Sequence, residues 1–122
     1  MSTILCVDDN DNNLFMLRAI LGRAGFDVLV AVDGEEGLEV ARAAKPDLVL
    51  MDLMLPGIDG LEATRRLKGD DATLAMPIIA LSAHEEHEKG PVAREAGCDD
   101  YARKPLDVRS LLEKIQRLLA AA

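Results

Sequence analysis

The sequence predicts one α/β domain built on a five-stranded parallel sheet with helices on both faces. Short apolar runs alternate with longer amphipathic segments along the whole chain, as in repeated β-then-α units. Two of the apolar runs, 48–51 and 78–81, are apolar throughout and therefore fit central strands that are covered on both sides. The 122 residues are enough for one ordinary domain, and no linker or repeat interrupts them.

Five short runs predict the strands, and each precedes a helical segment. The first four are aliphatic, whereas the last is interrupted by charged residues and predicts only a short, poor strand. The predicted strands are 3–7, 27–32, 47–52, 77–83 and part of 99–105.

Capping residues and leucine spacing predict the helices. Asp33 with Glu36 marks one helix start, and Asp59 with Glu62 marks the next. The last helix gives the strongest signal, because its apolar residues form one stripe whose exposed side could also bind a partner or a second copy. The predicted helices are 10–24, 34–44, about 59–68, one that ends near 96, and 108–119, with the last alanines, 120–122, expected to fray.

The fourth helix is the least regular. Gly90 and Pro91 stand where this helix would normally be under way. Proline is disfavoured inside a helix but suits its first turn. We therefore expect a short helix that begins near Pro91, preceded by a loose segment at 84–90.

Composition excludes several classes of function. Acidic residues outnumber basic ones by 22 to 14, and the formal net charge of −8 argues against a nucleic-acid or anionic membrane surface. No apolar stretch approaches the roughly 20 residues of a membrane span, and the N-terminus lacks the basic lead of a signal peptide. Two cysteines do not make a disulfide framework, so we expect Cys6 and Cys98 to be reduced thiols of a cytoplasmic protein.

Reactive side chains follow four of the five predicted strands. Asp8 and Asp9 follow the first, Asp52 ends the third, Ser82 follows the fourth and Lys104 follows the fifth. Ligands of an open α/β sheet bind outside the carboxyl ends of its strands. These side chains are therefore expected to share one rim, whereas the aspartate after the second strand is better explained as a helix cap.

Three carboxylates at one rim require a cation. Two of them about 5 Å apart repel by roughly 3 kcal/mol at an effective dielectric constant of about 20. Oxygen ligands with room for water suit Mg²⁺, and zinc is disfavoured because no Cys or His falls among these positions. A carboxylate near Mg²⁺ can attack a phosphoryl phosphorus. Lys104 could then neutralise the phosphoryl oxygens, and Ser82 could donate a hydrogen bond to one of them.

Four short motifs lie at these strand ends, namely VDDN at 7–10, LMDLMLPGIDG at 50–60, LSA at 81–83 and DYARKP at 100–105. In this order and spacing they resemble the receiver domain of two-component response regulators. The resemblance covers the whole chain and implies a flavodoxin-like, doubly wound (βα)5 fold with strand order 2-1-3-4-5.

The resemblance also implies the roles of the acidic residues. Asp52 would be the phosphoacceptor, with Lys104 pairing with the phosphoryl group and joined to Pro105 by a cis peptide. Asp9 would bind Mg²⁺ directly and Asp8 largely through water, and the backbone carbonyl of Met54 would complete the metal site with Asp52.

A switch follows from the same resemblance. Phosphorylation adds about −1.5 to −2 charges. Ser82 would move toward the new oxygens and Tyr101 would turn inward, which would change the face formed by the fourth helix, fifth strand and fifth helix. The phosphoryl donor would be a phosphohistidine on a sensor histidine kinase or a phosphotransfer protein.

The resemblance predicts a single receiver domain over 1–122 without an output domain. It would not be an enzyme beyond catalysing its own phosphorylation and dephosphorylation, and a separate downstream protein would read it. The chain would be a monomer or a weak dimer. The stretches CDDY and KP look most like the cell-cycle type of single-domain receiver.

Two positions depart from the usual family pattern. Met54 lies two residues after Asp52, where the family positions a hydrolytic water, and methionine offers no good hydrogen bond. We therefore expect a long-lived phosphoryl group, unless His84, two residues after Ser82, assists hydrolysis. Ser82 replaces the commoner threonine but keeps the hydroxyl.

Three other functions stay open on the sequence. A haloacid-dehalogenase-like phosphatase shares the strand-end aspartate, but it normally has a second aspartate where Met54 stands. A flavodoxin-like electron carrier would need a phosphate-binding loop where this chain is acidic. A degenerate receiver would bind partners without phosphorylation, although all of the key residues are present.

Overall fold

The computed structural model describes residues 2–121 and has five alternating strands and helices. Its strands coincide with the predicted ones to within one residue at most ends, and the poor fifth strand is short. The elements are β1 (Thr3–Val7), α1 (Asp11–Arg23), β2 (Asp27–Ala31), α2 (Gly34–Ala44), β3 (Leu48–Asp52), α3 (Gly60–Lys68), β4 (Ile78–Ser82), α4 (Glu86–Ala96), β5 (Asp100–Arg103) and α5 (Val108–Ala121).

The five strands form one parallel sheet in the order β2-β1-β3-β4-β5. This confirms the flavodoxin-like order 2-1-3-4-5. The second strand is added on one side of β1 and the later strands on the other, so β1 and β3 form the switch point at which ligands of such sheets bind. Every residue of β3 and β4 is buried, as their continuous apolar character predicted.

Alternate residues of each strand point to opposite faces, and each face has its own core. On one face Leu50 and its neighbours pack against α1 and α5. On the other face Val49 and Met51 pack against α2, α3 and α4. Both cores are almost entirely aliphatic. Cys6 and Cys98 are buried, unpaired thiols, as expected.

Side chains cap α1, α2 and α3, and Asp107 caps α5 in the same way. Asn10, Asp33 and Asp59 each accept a hydrogen bond from the backbone N–H three residues later. The predicted starts at Asp33 and Asp59 are thus confirmed, and within α3 Glu62 and Arg66 form an ion pair at 3.0 Å. None of the helices that the structure describes has the length and apolar character needed to cross a bilayer.

The predicted start of the fourth helix is wrong. α4 begins at Glu86, so Pro91 lies inside the helix and not in its first turn. Glu85 supplies the cap that the sequence interpretation overlooked, because its side chain and that of Glu88 form a reciprocal capping box. The alanines at 120–122 were expected to fray, but α5 includes Ala120 and Ala121. Ala122 lies outside the described residues.

Candidate functional site

Three of the predicted site residues meet beyond the carboxyl ends of their strands. Nζ of Lys104 lies 3.1 Å from Oδ2 of Asp8 and 3.1 Å from Oδ2 of Asp52. Asp8 is fully buried and Asp52 is 4% exposed. Each follows a residue of the α1/α5 core by two positions, so the strand alternation turns all three side chains to the same face. The peptide between Lys104 and Pro105 is cis, as expected.

The first helix holds Asp8 in place. The N–H of Asn10 donates to Oδ1 of Asp8 at 2.9 Å, and Nδ2 of Asn13 donates to Oδ2 at 3.2 Å. Asn10 also caps α1, so the start of the helix and the orientation of the carboxylate depend on one short segment. The sequence interpretation missed Asn13, although its place in the first turn after two aspartates could have identified it.

Asp9 completes an acidic cluster. Carboxylate oxygens of Asp8, Asp9 and Asp52 all lie within 4.8 Å of one another, and Asp9 is exposed. With Lys104 as the cation in contact with two of them, the cluster keeps a net charge of −2. Closely spaced hard oxygen ligands with excess negative charge and one side open to solvent suit a hydrated Mg²⁺ ion. The residues present therefore fit the metal that the sequence predicted.

Burial and the neighbouring charges set the ionisation of this site. Burial raises the pKa of the Asp52 carboxyl above its usual range, and the nearby charge of Asp8 adds to this effect. The N–H of Met54, which donates to Oδ1 of Asp52 at 3.0 Å, and the ammonium of Lys104 oppose the rise without cancelling it. Burial alone would lower the pKa of Lys104, but its bonds to Asp52 and Asp8 raise it, so the ammonium stays charged.

The backbone of Met54 faces the site, whereas its side chain points to the solvent. Its N–H is bonded to Asp52, whereas its side chain is 64% exposed at the surface. The Met54 side chain itself therefore offers only the weakly accepting sulfur of its thioether.

Ser82 and Tyr101 lie together on the opposite face from Lys104. The Ser82 hydroxyl is 1% exposed and accepts a hydrogen bond from the N–H of His84 at 3.1 Å. Its Oγ also lies 3.3 Å from Nδ1 of the His84 ring. The Tyr101 ring is 2% exposed, and its hydroxyl donates to the carbonyl of His84 at 2.8 Å.

His84 thus connects the two predicted switch residues, which the sequence interpretation did not foresee. The ring of Tyr101 lies inside while Ser82 bonds His84. The expected coupling between the movement of Ser82 and that of Tyr101 on phosphorylation stays a prediction.

Comparison with known proteins identifies relatives over nearly the whole chain. Residues 4–116 match the family model described as the response regulator receiver domain. Protein PilH of Pseudomonas aeruginosa is 39% identical over 98% of this chain and 99% of its own length. The polar-differentiation response regulator DivK of Brucella anthropi is 35% identical and covers 98% of both chains. Both of these relatives are single-domain receivers.

A solved structure agrees with the fold. The receiver domain of the sensor histidine kinase PA1611 from Pseudomonas aeruginosa has a TM-score of 0.90 to this chain, with 33% sequence identity and 98% of each chain covered. That crystal structure contains a magnesium ion coordinated in its active-site cleft. These matches favour the receiver interpretation over a phosphatase or a flavin carrier.

Proposed function

Since the chain belongs to the response regulator receiver domain family, we propose that it is a phosphorylation-dependent switch with Asp52 as the phosphoacceptor. Receiver domains act as signalling switches in two-component systems. The observation that carries this proposal is the position of Asp52: a buried carboxylate at the end of β3, 3.1 Å from the ammonium of Lys104 and beside the acidic pair Asp8 and Asp9.

Asp52 is the proposed nucleophile. One of its carboxylate oxygens forms a bond to the phosphorus of a phosphohistidine while the phosphorus–nitrogen bond of the donor breaks. The electron pair of that bond stays on the imidazole nitrogen of the donor. Lys104 already contacts Oδ2 of Asp52, so the positive charge of its ammonium lies close to the position that the phosphoryl oxygens would occupy. Ser82 is the proposed hydroxyl donor to one of these oxygens.

The proposed cofactor is Mg²⁺, held by Asp8, Asp9, Asp52 and the backbone carbonyl of Met54. When bound, the ion would supply positive charge that lowers the repulsion between the carboxylates and an incoming phosphoryl group. The short separations within the acidic cluster and its excess negative charge support this assignment. The magnesium ion in the related PA1611 receiver domain supports it independently.

The proposed output surface is the face of α4, β5 and α5. Phosphorylation would bias Ser82 and Tyr101, and through them this face, toward the form that a separate protein reads. Ion pairs join its elements, including Glu85 to Arg103 at 2.8 Å. Changes in α4 would therefore reach β5 directly.

The proposed partners are a sensor histidine kinase or phosphotransfer protein and a downstream protein. We propose that the chain acts as a receiver domain in the cytoplasm, without nucleic acid, as a monomer or weak dimer. Alignment over 98–99% of PilH and DivK supports a single-domain receiver. The two unpaired thiols agree with a reducing compartment.

Intact-mass spectrometry after incubation with acetyl phosphate and Mg²⁺ tests the proposed chemistry. We expect one phosphoryl adduct on the wild type and none on Asp52→Ala. An adduct on Asp52→Ala, or none on the wild type in the presence of Mg²⁺, would refute the assignment of Asp52.

Thermal unfolding at increasing Mg²⁺ concentration tests the metal site. An ion that binds only the folded chain stabilises it by about 1.4 kcal/mol at ten times its Kd. We expect this stabilisation in the wild type and little of it in Asp9→Asn. Asp71→Asn is the matched control, because it removes the same charge from an exposed turn away from the cluster. Equal Mg²⁺ responses of the two variants would argue against the site.

A further inference from the structure

The Ser82 hydroxyl is engaged by a single residue. Within residues 2–121 both of its hydrogen-bonding contacts are with His84, one to the backbone N–H and one to Nδ1 of the ring. Neither contact involves Asp52. The half-buried imidazole of His84 is therefore in a position to influence a hydroxyl on which the proposed function depends.

The two contacts have different consequences. The backbone N–H of His84 can only donate, so it fixes the position of Oγ without using the hydroxyl proton. Nδ1 is an acceptor when the neutral ring carries its proton on Nε2, and in that form it takes the only proton that Ser82 has. The ring thus sets the direction of the hydroxyl proton.

The geometry places this direction away from the acidic cluster. Ser82 continues the alternation of Ile78 and Ala80, which belong to the core beneath α2, α3 and α4. Asp52 continues the alternation of Leu48 and Leu50, which belong to the opposite core. A proton that points to His84 is consequently not available to a phosphoryl oxygen on Asp52.

We propose that His84 is a positioning residue whose imidazole holds the Ser82 proton away from the phosphoryl site, so that this bond must break when Asp52 is phosphorylated. The inference rests on the proposed function. Loss of the competing acceptor is expected to speed phosphorylation by roughly 2- to 10-fold, the equivalent of one net hydrogen bond, because the Ser82 proton is then free to bond the phosphoryl oxygens as the group is transferred. Because the carbonyl of the same residue binds Tyr101, release of the ring also reaches the second switch residue.

Phosphorylation by acetyl phosphate and Mg²⁺, followed by intact mass in four proteins, tests the proposal. His84→Leu removes the acceptor and is expected to form the adduct roughly 2- to 10-fold faster than the wild type. His84→Asn places an amide oxygen near the position of Nδ1 and is expected to keep the wild-type rate. His87→Leu is the matched control, because His87 is exposed on α4 and is also expected to leave the rate unchanged.

A nitrogen-15 NMR spectrum of the imidazole rings supplies a readout that needs no phosphorylation. We expect His84 to be the Nε2–H tautomer, with an Nδ1 resonance that shifts in Ser82→Ala while that of His87 does not. A proton on Nδ1 of the neutral His84 ring would overturn the proposal, whether or not Asp52 accepts a phosphoryl group.

The kinetic outcomes are equally decisive. If Asp52 is phosphorylated but His84→Leu matches His87→Leu, or if His84→Asn behaves as His84→Leu does, the acceptor role of His84 is wrong. If no protein gains an adduct, the proposed function fails, and the tautomer and its response to Ser82→Ala still decide the placement of the Ser82 proton.

Discussion

The ammonium of Lys104 lies 3.1 Å from a carboxylate oxygen of Asp52, and it lies equally close to Asp8. One cation therefore serves two buried carboxylates, while Asp9 adds a third negative charge nearby. The cost of removing these charges from water offsets much of their mutual attraction, so the arrangement contributes little net stability. Its excess charge is better explained by the ligands that it binds.

Asp52→Asn is expected to stabilise the protein at neutral pH. The folded state raises the pKa of Asp52, so keeping this carboxylate ionised at pH 7 costs free energy that the unfolded chain does not spend. Burial is the main cause of this rise, and each pH unit by which the folded pKa lies above the unfolded one corresponds to about 1.4 kcal/mol of gain. Urea unfolding without Mg²⁺ measures it.

The pH dependence gives the sign of this effect. Wild-type Asp52 is protonated in both states below its unfolded pKa of about 3.8, and there the advantage of Asp52→Asn should vanish. It should grow as pH rises through the raised folded pKa and then stay constant. Asp71→Asn, which makes the same charge change in an exposed turn, is the control. An advantage of Asp52→Asn that grows toward acid pH would contradict this assignment.

Met54→Asn is expected to shorten the lifetime of the phosphoryl group. The Met54 side chain is 64% exposed and cannot orient a water molecule, whereas an asparagine amide can donate and accept hydrogen bonds. One added hydrogen bond corresponds to a rate increase of about 2- to 10-fold. Loss of the phosphoryl adduct with time after removal of acetyl phosphate measures this rate. Met54→Leu is the control and should decay as the wild type does; equal decay of Met54→Asn would show that this position does not limit hydrolysis.

Cys6 is expected to make stability fall at alkaline pH. Burial raises the pKa of its thiol from 9.0 to about 12, and the charge of Asp8 contributes. Above pH 9 the unfolded chain loses this proton while the folded chain keeps it, so the free energy of unfolding falls by about 1.4 kcal/mol for each pH unit until the folded thiol ionises.

Urea unfolding at pH 8 and pH 10 in the wild type and Cys6→Ala isolates this contribution. The alanine variant starts from a lower stability because it leaves a cavity, but that offset does not depend on pH. The comparison therefore concerns the change between the two pH values. Parallel losses of stability in the two proteins would contradict a buried, neutral Cys6.

The positions of Asp8, Asp52 and Lys104 were predictable because they follow from strand order and from a simple alternation. All strands of a parallel sheet have their carboxyl ends at the same edge, and residues two positions apart in a strand point to the same face. The sequence therefore indicated their convergence before any distance was known.

The contacts of Asn13 and His84 depend on more than strand order. Asn13 reaches Asp8 only because α1 starts where the Asn10 cap sets it. His84 reaches Ser82 through the path of a short loop between β4 and α4. The spacing of apolar residues reveals neither the start of α1 nor the course of this loop, so these side-chain partners were not predicted.

The start of α4 was mispredicted because a local rule was given too much weight. Proline disfavours a helix interior, but the capping box of Glu85 and Glu88, the burial of Gly90 and the ion pair between Glu86 and Arg94 favour a longer helix. These contributions together outweigh the proline penalty, which is a tertiary effect that no single residue reveals.

Pro91→Ala is accordingly expected to stabilise the protein. Proline has no N–H to bond the carbonyl of His87 one turn earlier in α4, and its ring crowds that carbonyl. Alanine restores the donor and has the best helix propensity, so up to about 3 kcal/mol of unfolding free energy could be recovered. Pro91 is exposed, so little packing is lost. Thermal and urea unfolding measure the gain against Val92→Ala, a control that changes the adjacent side chain but keeps the backbone donor. A Pro91→Ala variant no more stable than the wild type would mean that α4 has already adapted to the missing hydrogen bond.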